Sequence, residues 1–228
     1  MEIRIGRREL MGAAGAAAVA GAMSGSAFAQ EKAPKRKIIG ISCSPRKGKT
    51  TAAAVDVCLQ AAQEVSPDIE TALIELAEMS IPAQLAAGQP LREGEVDDFP
   101  RVAEKLADPA VVGLVVGSPV YFGNMSALCK AFLDRCITLR KQHFALKNKV
   151  AGVVAVGGTR NGGQELTIQS IQAALSGQNV LLVNTGPPTT RIGATFWNQN
   201  DSIAEDDFGR ATAQDLGRRI VEVAGMCK

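Results

Sequence analysis

Ser44, Arg46, Lys49, Thr50 and Thr51 fall within eight residues of one another in the stretch ISCSPRKGKTT (41–51), and together they offer three hydroxyls and two cations. An apolar run precedes them and an Ala-rich segment follows, so the stretch is expected to leave a strand and open a helix. Backbone N–H groups at a helix start, with hydroxyls and positive charge around them, make a cradle for phosphate. A nucleoside triphosphate needs more. The pattern G-x-x-x-x-G-K-[ST] requires a glycine five positions before Gly48, where this chain has Cys43, and such a site also needs an acid at a strand end to hold magnesium. The later apolar runs end instead in Gly117-Ser118 and Gly157-Gly158. What remains is a monophosphate cradle. An ordinary βα turn accounts for Gly48 but not for so many phosphate-compatible donors together.

Two further stretches have loop chemistry directly beyond an apolar run. GSPVYFGNMSA (117–127) carries Pro119, Val120, Tyr121, Phe122, Gly123 and Asn124, where aromatic faces and backbone donors suit a flat polycyclic ligand. The alternative for Phe122 is that its ring packs under the loop. GGTRNGGQE (157–165) has four glycines in nine residues, which allow close backbone approach to a ligand. It holds Thr159, Arg160 and Gly163 and ends in Gln164-Glu165, with Glu165 placed either to cap a helix or to meet a ligand.

The elements that must position these loops follow from periodicity. Unbroken apolar runs predict strands at 37–42, 110–116, 150–156 and 180–183, and an alternating run predicts another at 69–76. Helical spacing predicts helices at 50–64, 101–108, 126–139, 164–175 and 204–224. Residues 77–100, with Pro82, Pro90 and Pro100, form an unusually long connection of the kind that often covers a ligand. Strands that alternate with helices, each strand apolar on both faces, predict an α/β fold: a doubly wound five-stranded parallel sheet with helices on both faces. In such a sheet the ligand lies beyond the carboxyl ends of the strands. That rule gathers the three loops at one edge.

Composition bounds the rest. The chain has 228 residues, is 46% hydrophobic and carries a formal charge of +2. Arg7-Arg8, a weakly apolar Ala/Gly run and Ala27-Phe28-Ala29 have the layout of a twin-arginine export signal over 1–29, followed by a polar linker at 30–36 and one domain at 37–228. Loss of Arg4, Arg7 and Arg8 with Glu2 and Glu9 lowers the charge from +2 to +1. A nearly neutral domain gives no electrostatic argument for nucleic acid, and no later apolar run is long enough for a stable membrane span. A periplasmic or exported location is therefore expected. Cys43, Cys58, Cys129, Cys136 and Cys227 form no C-x-x-C pair. Cys129 and Cys136, seven apart on an expected helix, would lie about 10 Å apart along its axis, beyond the roughly 7 Å of a disulfide. There is no Ser/His/Asp arrangement, and the lone His143 falls at a helix end.

Ser44-Pro45-Arg46 with Thr50, GSPVYFGNMSALCKAFLDR and GGTRNGGQE, in that order, resemble the NADPH-dependent FMN reductase and iron–sulfur flavoprotein group of flavodoxin-like proteins, over about Lys37 to Val183. The resemblance implies that Ser44, Arg46, Lys49, Thr50 and Thr51 hold the FMN phosphate. Pro119, Val120, Tyr121, Phe122, Gly123 and Asn124 would line the isoalloxazine, with Thr159, Arg160 and Gly163 at its other edge. It implies a flavin that carries the chemistry with no catalytic side chain, NAD(P)H as a co-substrate, and a small-molecule acceptor such as a quinone or free flavin. It also implies a homodimer or homotetramer, for which 77–100 is the expected contact. Two departures stand out. Iron–sulfur members carry a compact cysteine cluster after the second strand, whereas 77–100 holds no cysteine, so no cluster and no metal are expected. Lys49 takes a place that is uncharged in many relatives. The rival readings are an exported flavodoxin-like electron carrier, which the nearly neutral charge disfavours, and a domain that keeps the fold without flavin.

Overall fold

A computed structural model describes residues 35–227; the export segment expected at 1–29 and the linker up to residue 34 lie outside the described residues. Strand β1 (Arg36–Ser42) shows why a parallel sheet forms. Ile38 packs into one core layer while Ile39 and Ile41, offset by one pleat, pack into the other. β5 (Val150–Gly157) repeats the pattern, with Ala151, Val153 and Ala155 on one side and Val150, Val154 and Val156 on the other. A strand apolar on both faces is stable only between two helix layers.

The first layer is α1 (Thr50–Val65) with α6 (Asp207–Met226), which bury Val55, Cys58, Leu59, Leu216 and Ile220. The second is α2 (Phe99–Ala107), α3 (Ala127–Arg135), α4 (Ile137–Lys141) and α5 (Gln164–Ser176), which bury Phe99, Leu106, Phe132, Leu139, Ile168 and Ile171. Each such aliphatic or aromatic side chain taken fully from water contributes about 1.5–3 kcal/mol. β2 (Ile69–Glu75) and β3 (Val111–Tyr121) flank β1, and β5 flanks β3, all parallel. The order β2-β1-β3-β5 turns back between β1 and β3, which makes their carboxyl ends the switch point of the sheet. α1 approaches closely there: a Cβ on Gly117 of β3 would lie 2.4 Å from Val55 Cγ2.

Three elements depart from the periodicity. The fifth strand, expected at 180–183, is split: β6 (Leu181–Leu182) pairs with the start of β5, and β7 (Ala194–Trp197) pairs with its end. Pro187 and Pro188 have no N–H for a ladder, so the chain leaves the sheet and returns only at Ala194. The helix expected at 126–139 divides at Cys136, whose N–H is shared between the carbonyls of Phe132 and Leu133 and tightens the turn there. β3 runs five residues past its apolar core, to Tyr121, because Gly117, Ser118 and Pro119 continue the ladder with β5. Pro119 is tolerated there because β1 has already ended, opposite Gly117.

The long connection is pinned. Arg135 of α3 makes two parallel bonds to Asp97, Nη1 to Oδ1 at 2.8 Å and Nη2 to Oδ2 at 2.7 Å, and reaches the Pro82 carbonyl at 3.2 Å. Its guanidinium lies 4.8 Å from the centroid of the Phe99 ring. No described helix is long and apolar enough to cross a membrane.

Candidate functional site

The phosphate end is built from the turn between β1 and α1. Ser44 is buried, and its Oγ takes the Arg46 N–H at 3.1 Å, which folds the loop back on itself. Gly48 sits at φ +63°, and its N–H is given to Glu75 Oε2 at 2.7 Å. Lys49 occupies the N-cap of α1, yet no side chain caps the helix and no acid lies in its first turn. A sixteen-residue helix therefore presents unpaired first-turn N–H groups and the positive end of its dipole. Thr50 and Thr51 are buried at that end. The three cations of the loop are each held by an exposed carboxylate. Arg46 Nη1 reaches Asp201 Oδ1 at 2.6 Å, Lys49 Nζ reaches Asp201 Oδ2 at 3.5 Å, and Lys47 Nζ reaches Glu78 Oε2 at 2.8 Å.

Asp201 is the residue that sequence reading missed here. It stands at the tip of a tight turn closed by the Gln199–Ser202 bridge, with Asn200 at φ +51° and Asp201 at φ +60°. Asn and Asp adopt this left-handed conformation more readily than other side chains. The Arg46 hydrogen bond, with the charges of Arg46 and Lys49 behind it, holds the Asp201 carboxyl below its ordinary pKa. The turn-forming pair Asn200-Asp201 was visible in the sequence, but nothing there joined it to a loop 155 residues away.

The second loop is a hairpin. Phe122 and Gly123, both with positive φ (+51° and +74°), turn the chain so that β4 (Asn124–Met125) pairs back on Val120 and Tyr121. Phe122 is fully exposed and Tyr121 half-exposed, so the alternative in which Phe122 packs under the loop does not hold. Ser126 ties this hairpin to the phosphate loop: its N–H goes to Ser118 Oγ at 3.0 Å and its hydroxyl to the Cys43 carbonyl at 2.7 Å.

The third loop is organised by Gln164, fully buried, which sequence analysis gave only as the opening of a helix. Gln164 Nε2 donates to the carbonyls of Thr159 (2.6 Å) and Phe196 (3.1 Å), and Oε1 accepts the Gly162 N–H at 2.8 Å. Glu165 is exposed and α5 has no side-chain cap, so of its two alternatives the capping one is not realised. Gly163 at φ +101° packs on the hairpin; a Cβ there would meet Gly123 Cα at 2.9 Å. Ser126 and the Gly123–Gly163 contact thus bring the three loops together. Thr159 is exposed beside them. The Arg160 guanidinium pairs with the buried Asp206 and lies 5.9 Å from the Trp197 ring.

The residues at this edge fit a flavin monophosphate. An uncapped helix start with Arg46, Lys49 and buried hydroxyls matches the phosphate. A Cβ on Gly48, Gly123 or Gly158 would face open space, so the backbone there is free to meet a ring system. Ser42 Oγ, in the last residue of β1, and Asn198 Oδ1, just past the end of β7, are buried without a partner. The cysteines take no part. Cys43, Cys129 and Cys136 lie in one core layer and Cys58 in the other, and all are free thiols. Burial pushes Cys136 up to about 12 and Cys43 and Cys58 upward as well. Among the described residues no group of three or more His, Cys, Asp or Glu side chains could hold a metal. His143 is exposed.

Comparison with known proteins relates the chain to flavoproteins. The chain is 38% identical over 196 residues to an iron–sulfur flavoprotein of Methanocaldococcus jannaschii, covering 84% of this chain and 99% of that one. It is 36% identical over 191 residues to an iron–sulfur flavoprotein of Methanosarcina thermophila, covering 82% and 94%. The fold is shared with RosB, solved with a bound riboflavin-phosphate intermediate, at a TM-score of 0.63 and 15% identity over 84% of this chain and 79% of that one. Residues 36–188 match the NADPH-dependent FMN reductase family, and the chain belongs to that family.

Proposed function

We propose that this chain is an FMN-dependent oxidoreductase that passes electrons from NAD(P)H, or another reduced donor, to a small acceptor such as a quinone or free flavin. The observation that carries the reading is the uncapped start of α1, flanked by Arg46 and Lys49 and joined through Ser126 to an exposed aromatic hairpin. Bound FMN supplies hydride and electron transfer. The chain positions it. Arg46, Lys49, Ser44, Thr50 and Thr51 bind the phosphate. The Tyr121–Asn124 hairpin, Phe122 included, and Gly163 would hold the ring system. With its tip exposed, the hairpin would leave room for exchange of donor for acceptor. No protein acid or base is required, which suits an edge without a positioned histidine.

An absorption spectrum of the purified chain, before and after anaerobic NADPH, tests this. A flavin spectrum that bleaches, followed by reoxidation with menadione, is the expected outcome. A flavin spectrum that persists transfers the reading to another donor or to an electron carrier, and no flavin after incubation with FMN refutes it.

The reading extends to three properties. Residues 77–100 hold no cysteine and are closed by Asp97–Arg135, which supports a chain that works without an iron–sulfur cluster. The paired arginines of the amino terminus direct twin-arginine export of a folded, flavin-loaded protein, in a compartment where a quinol or redox protein replaces scarce nicotinamide. Subunits assemble as a dimer or tetramer through 77–100. Finding a reporter fused to residues 1–35 only in the cytoplasm would remove the second of these.

A further inference from the structure

The insertion that splits the fifth strand has no part in the sheet, yet it builds a wall. Thr190, Arg191 and Ile192 line a cavity together with Arg160, Asn161 and Glu165 of the third loop and its helix, with Gln169, Thr195 and Phe208 completing it. Thr190 is held at φ +47°, a conformation that a β-branched residue enters only at a cost in energy. Such strain persists where the surroundings impose it.

Two guanidinium groups meet in this cavity. The Arg191 carbon lies 5.6 Å and the Arg160 carbon 6.0 Å from the centroid of the Phe208 ring, so one aromatic side chain holds both cations. Their charge balance differs. Arg160 is tied from behind by Asp206, whose other contacts are the N–H groups of Trp197 and Gly209, and the Arg160 Nη1 atom remains buried without a partner. Arg191 has no carboxylate within ion-pair distance among the described residues, and Glu165, the acid of this cavity, pairs with neither. A fixed guanidinium and a free one, with hydroxyl and amide groups around them and Phe208 and Ile192 as apolar surface, suit an oxyanion carried on an aromatic molecule.

We infer that this cavity is a second subsite, next to the flavin edge, that binds the oxyanion of an aromatic redox substrate through Arg191 and Arg160. The inference deepens the proposed reductase function and rests on it. Two sources share the chemistry: an acceptor bearing a carboxylate or sulfonate, and a dinucleotide donor bearing a phosphate ester.

The test uses the flavin-loaded full chain and two ligand pairs: the anionic anthraquinone-2-sulfonate against the neutral quinone menadione as acceptors, and NADPH against NADH, which lacks its extra phosphate, as donors. Arg191→Met is expected to raise KM roughly tenfold for the oxyanion-bearing member of one pair, with menadione as the neutral reference. The pair that responds identifies the source. Equal KM values for wild type and variant with all four ligands overturn the inference, while continued menadione reduction leaves the reductase reading standing. Should the chain turn over none of them, equilibrium dialysis of anthraquinone-2-sulfonate and of NADPH decides. Weaker binding of either to Arg191→Met sustains the subsite, and equal binding of both overturns it.

Discussion

Two arginine–aspartate pairs, of the same chemistry, do opposite work. Arg135–Asp97 joins the long connection to α3 with side chains only 6% and 14% exposed, whereas Arg46–Asp201 joins the phosphate loop to a distant turn with side chains 47% and 45% exposed. A buried pair cannot trade partners, because either charge left alone in the protein interior is costly. An exposed pair contributes little to stability and exchanges readily, because water screens both the bonded and the separated charges. The buried pair therefore fixes shape. In the proposed function, the exposed pair would hold Arg46 and Lys49 for an incoming phosphate to take over from Asp201.

The comparison breaks most easily at Asp97. Asp97→Ala, which strands the Arg135 charge, is expected to lower unfolding free energy by about 3–5 kcal/mol in urea melts; a loss no larger than that of an exposed-pair variant would erase the distinction. Arg46→Met should weaken FMN binding by roughly ten- to a hundredfold, the value of one charge-assisted bond. Riboflavin affinity and melting should stay unchanged, and a parallel loss of riboflavin would mean that Arg46 shapes the loop instead of binding phosphate. Asp201→Asn sharpens the point with a smaller effect of opposite sign. With its counter-ion weakened, the loop should bind FMN a few-fold tighter, read by quenching of flavin fluorescence, and weaker binding would make Asp201 a support for the loop.

The smallest effect lies at the far end of the sheet. The Arg36 hydrogen bond, aided by Ser66, holds Asp68 down to about 2. A carboxyl depressed in the folded state adds stability that is present above its ordinary pKa and is lost as pH falls toward the folded value. Asp68→Asn should therefore flatten the acid limb of the stability curve between about pH 4 and pH 2, and an unchanged limb would show that the pair persists in the unfolded chain.

Much of the fold was legible because its causes are local. β1, α1, β5 and α5 are found within one or two residues of their expected limits, since an apolar run or a 3.6-residue period is written in neighbouring positions. The split of the fifth strand was harder to see. ATFW at 194–197 is too short for periodicity to separate from a loop, and it becomes a strand only because β5 offers it an open ladder. The break at Cys136 had no signal in the sequence, and nothing in the structure beyond the shared N–H explains it.

The site divides in the same way. The residue types of the three loops, with the glycines at Gly48, Gly123 and Gly163 that permit positive φ, are determined by the sequence alone, because turn chemistry is a property of a few adjacent residues. Which charge meets which was decided only by the tertiary structure. Asp201 reaches Arg46 across 155 positions, Asp206 pairs with Arg160, and Gln164 joins Thr159 to Phe196. Each of these partners is selected by the packing of helices on a sheet, and no spacing along the chain encodes a contact made in that way.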